Sequence, residues 1–272
     1  MTYQDPKVLI AIPTYEGKDY IFNANFHAVN NINYKNYDYV YIDNSKSPNY
    51  YYKLKRRGAN AVRVPRGDNS RQALCNAQNW ARQKVLDEGY DYLLFIESDL
   101  TPDKECMNRL LSHNKFVVGS LYFLESTVEE KSLPIYKYLN MKAVAENFGG
   151  YVNATIKGNE AIITDSKLRM PCVFFIEKLN IKEFGTRLIK PHEVKDYYLK
   201  GLRRVHGMGL GCTLIKKDIL QNHIFWYDER DALKHSDVYF YMELNNENFP
   251  VFLDTNIVIP HFPSKWSDVK DR

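Results

Sequence analysis

Short apolar runs alternate with segments of mixed polarity along the first third of the chain. The apolar runs are rich in β-branched and aromatic residues and predict strands at residues 7–12, 37–42, 60–64 and 91–96. The segments between them space apolar residues as a helix does and predict helices at residues 18–32, 48–58 and 69–88. Strands that alternate with helices are typical of a mostly parallel central sheet flanked by helices on both faces. The pattern therefore predicts an α/β fold with one Rossmann-like domain.

Polar residues close three of the predicted strands. Residues 14–16 (TYE), 43–45 (DNS) and 97–99 (ESD) each follow an apolar run directly. The carboxyl ends of parallel strands meet at one edge of a sheet, where ligands of such folds bind. Carboxylate oxygens are ligands that Mg²⁺ and Mn²⁺ accept, and these metals in turn bind phosphates. We therefore expect a ligand crevice with a metal site at this edge.

Two common phosphate-binding motifs are absent from the sequence. No G-x-G-x-x-G follows the first strand, and no G-x-x-x-x-G-K-[ST] occurs anywhere in the chain. These absences argue against a dinucleotide-binding fold and against a P-loop enzyme.

Two separate blocks of the chain resemble the nucleotide-sugar glycosyltransferases of the GT-A fold, most like the broad family 2. The first block includes the strand ends VLIAIPTYEG, VYIDNSKS and LLFIESDLTP, the last of which matches the family's D-x-D motif with Glu97 in place of the first Asp. The second block includes GMGLGCTLIKKDIL at residues 207–220 and continues through residues 226–262. The resemblance covers roughly residues 7–124 and 205–262.

The resemblance implies a metal site and a catalytic base. Asp99, with Glu97 and His261, would bind Mn²⁺ or Mg²⁺ at the donor diphosphate. Asp237 would deprotonate the acceptor hydroxyl, although Ser236 replaces the Glu that usually precedes it. A single base on the far side of the sugar predicts inversion of the anomeric configuration.

The resemblance also implies residues that contact the two substrates. The donor-binding residues would be Pro13, Thr14, Tyr15, Glu16, Asp43, Arg71, Glu97 and Ser98. The acceptor side would include Gly209, Leu210 and Gly211. From its position close to His261, the C-terminal tail is expected to close over the diphosphate with Lys265 and Trp266.

Simpler interpretations of the same residues remain open. Glu97 and Asp99 are compatible with an ordinary polar turn, and Asp237 with the N-cap of a helix at 237–247. His261 lies between two prolines and is compatible with a packed loop histidine. The basic residues between 53 and 71 indicate either a solvated face or a surface for a polyanionic acceptor.

The segment 125–204 matches nothing in the resemblance. Its stretch at 151–165 predicts a hairpin with a turn at 157–160. Because eighty residues are too many for a bare loop, we interpret the segment as an insertion on the acceptor side. The expected organisation is a donor-binding half at 1–124, this insertion, and an acceptor and catalytic half at 205–272, all in one compact domain.

Composition and charge add little to the prediction of the fold and the function. The chain has 272 residues, 44% of them hydrophobic, and a formal net charge of +4, which assigns neither nucleic acid nor membrane as partner. Its four cysteines lie far apart, no secretory signal is visible, and no apolar run has membrane-spanning length. We expect a cytoplasmic protein without stable membrane insertion.

The sequence as a whole favours a metal-dependent glycosyltransferase. The expected donor is a nucleoside-diphosphate sugar, with a UDP-sugar favoured, and the acceptor is a hydroxyl group. A glycan acceptor is favoured, with a hydroxylated DNA base as the minority alternative. A nucleotidyltransferase and a non-catalytic sugar- or nucleotide-binding module remain as rival functions.

Overall fold

The computed structural model describes residues 5–178, 184–189, 191–231 and 234–263. The strands are β1 (Val8–Thr14), β2 (Tyr37–Asp43), β3 (Ala61–Arg63), β4 (Tyr92–Ile96), β5 (Val117–Leu121), β6 (Phe123–Ser126), β7 (Ser132–Pro134), β8 (Tyr151–Lys157), β9 (Glu160–Pro171), β10 (Val173–Lys178), β11 (Phe184–Leu188), β12 (Leu202–Val205), β13 (Gly207–Met208), β14 (Cys212–Lys216) and β15 (Val251–Val258). The α-helices are α1 (Phe22–Asn30), α2 (Asn49–Arg56), α3 (Ser70–Asp87), α4 (Cys106–Ser112), α5 (Ile135–Asn147), α6 (Lys217–Asn222) and α7 (Ser236–Asn246). No helix among these residues is long and apolar enough to cross a membrane.

The central sheet has eight strands in the order β12-β15-β5-β14-β4-β1-β2-β3. Strands β4, β1, β2 and β3 are parallel neighbours, and β15 runs parallel to β5. Strand β14 is antiparallel to both β4 and β5, and β12 is antiparallel to β15. The predicted α/β fold with a mostly parallel sheet is therefore confirmed, and all four predicted strands form within two residues of their expected bounds.

The sheet is buried on both faces, as the continuous apolar runs predict. All five residues of β4 are buried. Leu93 and Phe95 belong to the core that α3 covers, whereas Leu94 and Ile96 belong to the core that α4 covers. Successive side chains of a strand point to opposite faces, so one apolar run supplies both cores.

The helix predicted at 18–32 forms as two pieces instead of one. A 3₁₀ helix spans Glu16–Ile21 and is followed by α1. The Lys18 amide donates to the Tyr15 carbonyl at 2.9 Å, the three-residue spacing of a 3₁₀ turn. A Cβ atom on Gly17 would lie 2.7 Å from Cζ of the Tyr15 ring, so a side chain at position 17 would require this ring to move. The tight turn keeps Lys18 beside the carboxyl end of β1.

The segment after β5 forms a layer of antiparallel strands beside the central sheet. Strand β9 pairs with β6, β7 and β8, and the predicted hairpin is confirmed as β8 and β9 joined at Gly158, whose φ is 58°. A separate apolar core lies beneath it and includes Leu133, Tyr138, Val152 and Ala161. Placement of this segment on an acceptor side stays a prediction.

Candidate functional site

Three strand ends meet at one edge of the central sheet. In the parallel pair β1 and β2, Thr14 lies opposite Asp43, so both strands end at the same level. Strand β4 runs parallel to β1 and leads at this edge into the turn of Glu97, Ser98 and Asp99. The expected convergence of strand-end polar residues is therefore present.

His261 reaches this edge because the chain after β15 folds across the turn that follows β4. Leu100 and His261 form an antiparallel bridge. The Thr101 amide donates to the Pro260 carbonyl at 3.2 Å, and the Phe262 amide donates to the Asp99 carbonyl at 3.0 Å. These main-chain hydrogen bonds hold His261 beside the two acids.

Glu97, Asp99 and His261 form a cluster with the geometry of a metal site. One potential ligand atom from each residue lies within 4.8 Å of the other two. The His261 Nδ1 atom lies 2.8 Å from the Phe123 carbonyl, which only accepts, so Nδ1 carries the proton. The Nε2 atom then faces Asp99 Oδ2 at 3.3 Å. Two carboxylates and an imidazole with a fixed tautomer suit Mn²⁺ well, and the cluster thus fits a divalent cation.

Lys18 is part of the same cluster, and the sequence analysis missed it. Its Nζ atom lies 2.5 Å from Asp99 Oδ2, in an ion pair whose side chains are 21% and 4% exposed. The sequence signal for Lys18 was its position, four residues beyond the end of β1, where a basic side chain can reach the same edge of the sheet. The partner, however, lies 81 residues further along the chain, and no local pattern connects the two.

The two acids of the cluster have opposite pKa shifts. Burial and the charge of Asp99 raise the pKa of Glu97 to about 7. Burial alone would raise the pKa of Asp99 as well, but hydrogen bonds and charges from His261 and Lys18 outweigh it and lower that pKa. Burial opposes the charged forms of His261 and Lys18, yet Asp99 raises the pKa of both. In the metal-free cluster Asp99 is therefore the permanent anion and Glu97 the acid that titrates near neutral pH.

Asp237 lies in the first turn of α7. Its negative charge contributes to the raised pKa of Glu97, which places the two carboxylates in one electrostatic environment. Its own pKa is raised, chiefly by burial. The N-cap residue of α7 is His235, and Asp237 Oδ1 accepts from the neighbouring Val238 amide at 2.8 Å. The interpretation of Asp237 as the N-cap is therefore wrong.

Asp43 presents a buried carboxylate at the same edge of the sheet. Its Oδ1 atom accepts from the amide and the hydroxyl of Ser45 at 3.0 and 2.5 Å. Its Oδ2 atom has no hydrogen-bond partner among the described residues, and the nearest cation is the Arg63 Nε at 3.9 Å. Burial raises the pKa of Asp43. An acceptor atom buried without a donor is costly, and a bound ligand with an N–H or O–H group would satisfy it.

The other predicted donor-binding residues occupy the same edge with different exposures. Thr14 and Ser98 are buried, Pro13 and Tyr15 are half-buried, and Glu16 is exposed. A cavity of about 300 Å³ opens beside Glu16, lined also by Asp19, Asn49, Tyr50, Lys53 and Arg56. A larger cavity of about 640 Å³ lies at the other end of β2, around Tyr37 and Asn60, and does not contact the cluster.

Arg71 is held by the segment that precedes α7. Its guanidinium donates to the carbonyls of Asp228 and Asp231 and stacks over the Tyr227 ring at 4.7 Å. A diphosphate contact by Arg71 stays a prediction. Lys265 and Trp266 lie outside the described residues.

The glycine-rich segment packs under an aromatic ring. The Gly211 carbonyl accepts from the Glu97 amide at 2.7 Å, which attaches the segment to the site. A Cβ atom on Gly211 would lie 2.7 Å from the Tyr122 ring, and one on Gly209 would meet the Tyr122 hydroxyl. Leu210 between them is buried. Packing thus accounts for both glycines, and an acceptor contact at 209–211 stays a prediction.

No protein-family model matches the chain, and no curated protein matches it. Among solved structures, the crystal structure of A197 from STIV matches with 14% sequence identity and a TM-score of 0.42. The match covers 95% of this chain and 86% of that chain. Because a similarity at this level does not establish a shared function, the geometry of the site is the basis for a functional assignment.

Proposed function

We propose that this protein is a divalent-metal-dependent glycosyltransferase that moves a sugar from a nucleoside diphosphate, most simply UDP, to a hydroxyl group of a glycan. The observation that carries the proposal is the Glu97, Asp99 and His261 cluster at the carboxyl edge of a largely parallel sheet. The unpartnered Oδ2 atom of Asp43 at the same edge supports it, because a nucleoside offers N–H and O–H donors.

The donor is held by two sets of residues in this proposal. Asp99, Glu97 and His261 hold Mn²⁺ or Mg²⁺, which supplies positive charge to the departing diphosphate. Asp43 accepts a hydrogen bond from the nucleobase or the ribose. Its fixed Oδ1 contacts with Ser45 orient the free Oδ2 atom and so preorganise the pocket.

Asp237 is the proposed base. A carboxylate with a raised pKa is a better proton acceptor than an exposed one, and this site raises it by burial. The acceptor oxygen gives its proton to Asp237 and bonds to the anomeric carbon, while the bond from that carbon to the diphosphate oxygen breaks. Direct displacement of this kind inverts the anomeric configuration.

A nucleotide-binding module without turnover is the second candidate. The ion pair between Lys18 and Asp99 at 2.5 Å favours it, because a lysine that stays on Asp99 replaces a metal. Ser236, which stands where the resembling family has Glu, donates to Gln78 at 2.6 Å and is buried. This arrangement is structural and gives no catalytic group at position 236.

The deciding experiment measures UDP binding by calorimetry and sugar release from a panel of UDP-sugars, each with and without Mn²⁺. We expect Mn²⁺-dependent binding and slow sugar release in the wild type, and loss of both in Asp99→Asn. Asp237→Asn should retain UDP binding and lose about a hundredfold or more of the release rate. Asp87→Asn, on the exposed end of α3, is the matched control.

Two results would decide against the transferase. Tight UDP binding without any release of sugar from any donor would favour the binding module. No binding of UDP or its sugars with Mn²⁺ would overturn both candidates.

A further inference from the structure

The Oδ2 atom of Asp99 already has two basic partners in the metal-free protein. Lys18 Nζ lies 2.5 Å from it and His261 Nε2 lies 3.3 Å from it. This is the same carboxylate that the cluster offers to a divalent cation. The ammonium of Lys18 therefore competes with the metal for the charge of one carboxylate.

A divalent cation and the Lys18 ammonium repel each other when both lie at Asp99. Charges a few ångströms apart in a partly buried site repel strongly, because little water screens them. The Asp99 side chain is only 4% exposed. A divalent cation bound by Glu97 and Asp99 neutralises the charge of both carboxylates and so weakens the attraction of Asp99 for Lys18. Metal binding at Asp99 thus favours the departure of Lys18.

Lys18 has the freedom to leave, and the acid next to it in the chain is already paired. Its side chain is 21% exposed and lies on a short 3₁₀ helix. Lysine carries its charge on a flexible four-carbon stem, which allows it to change partners. The adjacent acid, Asp19, is already paired with Lys53 at 2.6 Å and with Arg57 at 2.7 Å. A released Lys18 would therefore be available to contact an anion supplied by a ligand.

We infer that Lys18 is a diphosphate-binding residue that exchanges partners: it holds Asp99 in the metal-free protein and moves to the donor diphosphate when Asp99 binds the metal. The inference rests on the proposed function. A nucleoside diphosphate brings the anion that the released ammonium lacks.

The exchange makes metal and nucleotide binding cooperative. When the metal binds alone, the ion pair between Lys18 and Asp99 breaks and the ammonium gains no new anion in its place. The metal alone therefore binds weakly. With the nucleotide present, the ammonium gains a new partner and the metal binds more tightly. By linkage, the metal increases the affinity for nucleotide by the same factor.

The test compares wild type, Lys18→Met and the control Lys84→Met, which removes a surface ion pair with Glu88 on α3. Mn²⁺ affinity is measured by electron paramagnetic resonance of the free ion, with and without UDP, and UDP affinity by calorimetry with Mn²⁺. We expect Lys18→Met to bind Mn²⁺ alone about tenfold more tightly, to bind UDP about tenfold more weakly, and to lose the cooperativity. Lys84→Met should match the wild type.

Lys18→Gln keeps a hydrogen-bond donor without the charge. The same measurements use this variant if Lys18→Met does not fold. Unchanged or weaker Mn²⁺ affinity in the neutral variant, with cooperativity intact, would overturn the exchange. Metal-independent UDP binding that the variant loses would also overturn it, because Lys18 would then be a permanent replacement for the metal. If neither wild type nor variant binds Mn²⁺ at all, the proposed metal-dependent function fails instead.

Discussion

The imidazole of His261 donates from Nδ1 to the main-chain carbonyl of Phe123, 138 residues earlier, at 2.8 Å. Because the carbonyl is part of the backbone, this contact survives almost any substitution at position 123. It leaves Nε2, the nitrogen nearer to Asp99, as the unprotonated atom of the neutral ring. One hydrogen bond thus orients the ring and selects the tautomer that binds a metal.

The first prediction concerns His261 as a metal ligand. His261→Gln removes the imidazole and should weaken Mn²⁺ binding by about tenfold or more, as loss of a ligand or its support commonly does. Titration of Mn²⁺ by paramagnetic resonance measures the change. His27→Gln, at an exposed position of α1, is the control. Equal Mn²⁺ affinity of His261→Gln and wild type would show that His261 is not a metal ligand.

The second prediction concerns the pH dependence of metal binding. Glu97 has a pKa of about 7, and the pKa of His261 is raised above its usual value. Both groups bind a metal only without their protons. Mn²⁺ affinity should therefore fall as the pH is lowered through about 7. An affinity that does not change between about pH 6 and about pH 8 would contradict a metal bound by these groups.

The third prediction concerns stability without metal. The folded-state pKa of Glu97, about 7, exceeds its ordinary value of 4.5, so the folded state holds this proton more strongly between these pH values. The free energy of unfolding should accordingly fall as the pH rises across that window. Glu97→Gln should make the free energy of unfolding depend less on pH. It should also stabilise the protein at about pH 8 by on the order of 1 kcal/mol.

Chemical denaturation of metal-free protein at the two ends of this window measures the effect. The exposed Glu130→Gln is the matched control, with no change expected. A Glu97→Gln protein that is less stable than wild type at high pH would show that the Glu97 carboxylate stabilises the fold.

The fourth prediction concerns nucleotide recognition by Asp43. Asp43→Asn keeps an oxygen that accepts from Ser45 but removes the charge and the acceptor at Oδ2. UDP affinity should fall about tenfold in calorimetry, while the melting temperature stays equal or rises, since a buried charge is removed. Asp38→Asn, at the opposite end of β2, should leave UDP affinity unchanged. If both variants bind UDP like wild type, Asp43 does not contact the nucleotide.

The fifth prediction concerns the packing of Tyr122 on the glycine-rich segment. Gly209→Ala and Gly211→Ala should each destabilise the fold by about 1–3 kcal/mol, because the new methyl group overlaps the ring. Tyr122→Phe should recover more of the cost at Gly209, where the new methyl group lies closest to the hydroxyl, than at Gly211, where it meets the ring carbons at least as closely as the hydroxyl. Double-mutant cycles of denaturation free energies separate the two cases. Equal recovery at both positions would contradict this packing.

Local physical chemistry made much of the fold predictable. The apolar runs bury both faces of their strands, so their positions alone indicated the parallel part of the sheet. Asn69 is the N-cap of α3, at the start of the helix predicted at 69–88, and its side chain accepts from the Gln72 amide at 2.9 Å. Gly158 lies in the hairpin turn predicted at 157–160, where its positive φ favours glycine. The broken helix at residues 16–30 was not predictable from the spacing of apolar residues, which does not distinguish a 3₁₀ turn from the first turn of an α-helix.

The sequence by itself determined which residues end the strands, and hence that Asp43, Glu97 and Asp99 would gather at one edge. The family resemblance also placed His261 beside Asp99, whereas only the tertiary structure showed that Lys18, 81 residues before Asp99, contacts the same carboxylate. Strand endings follow from short-range periodicity and turn chemistry, which the order of residues encodes directly. Contacts between distant segments depend on the order of strands in the sheet and on the path of the loops, which packing of the whole chain selects.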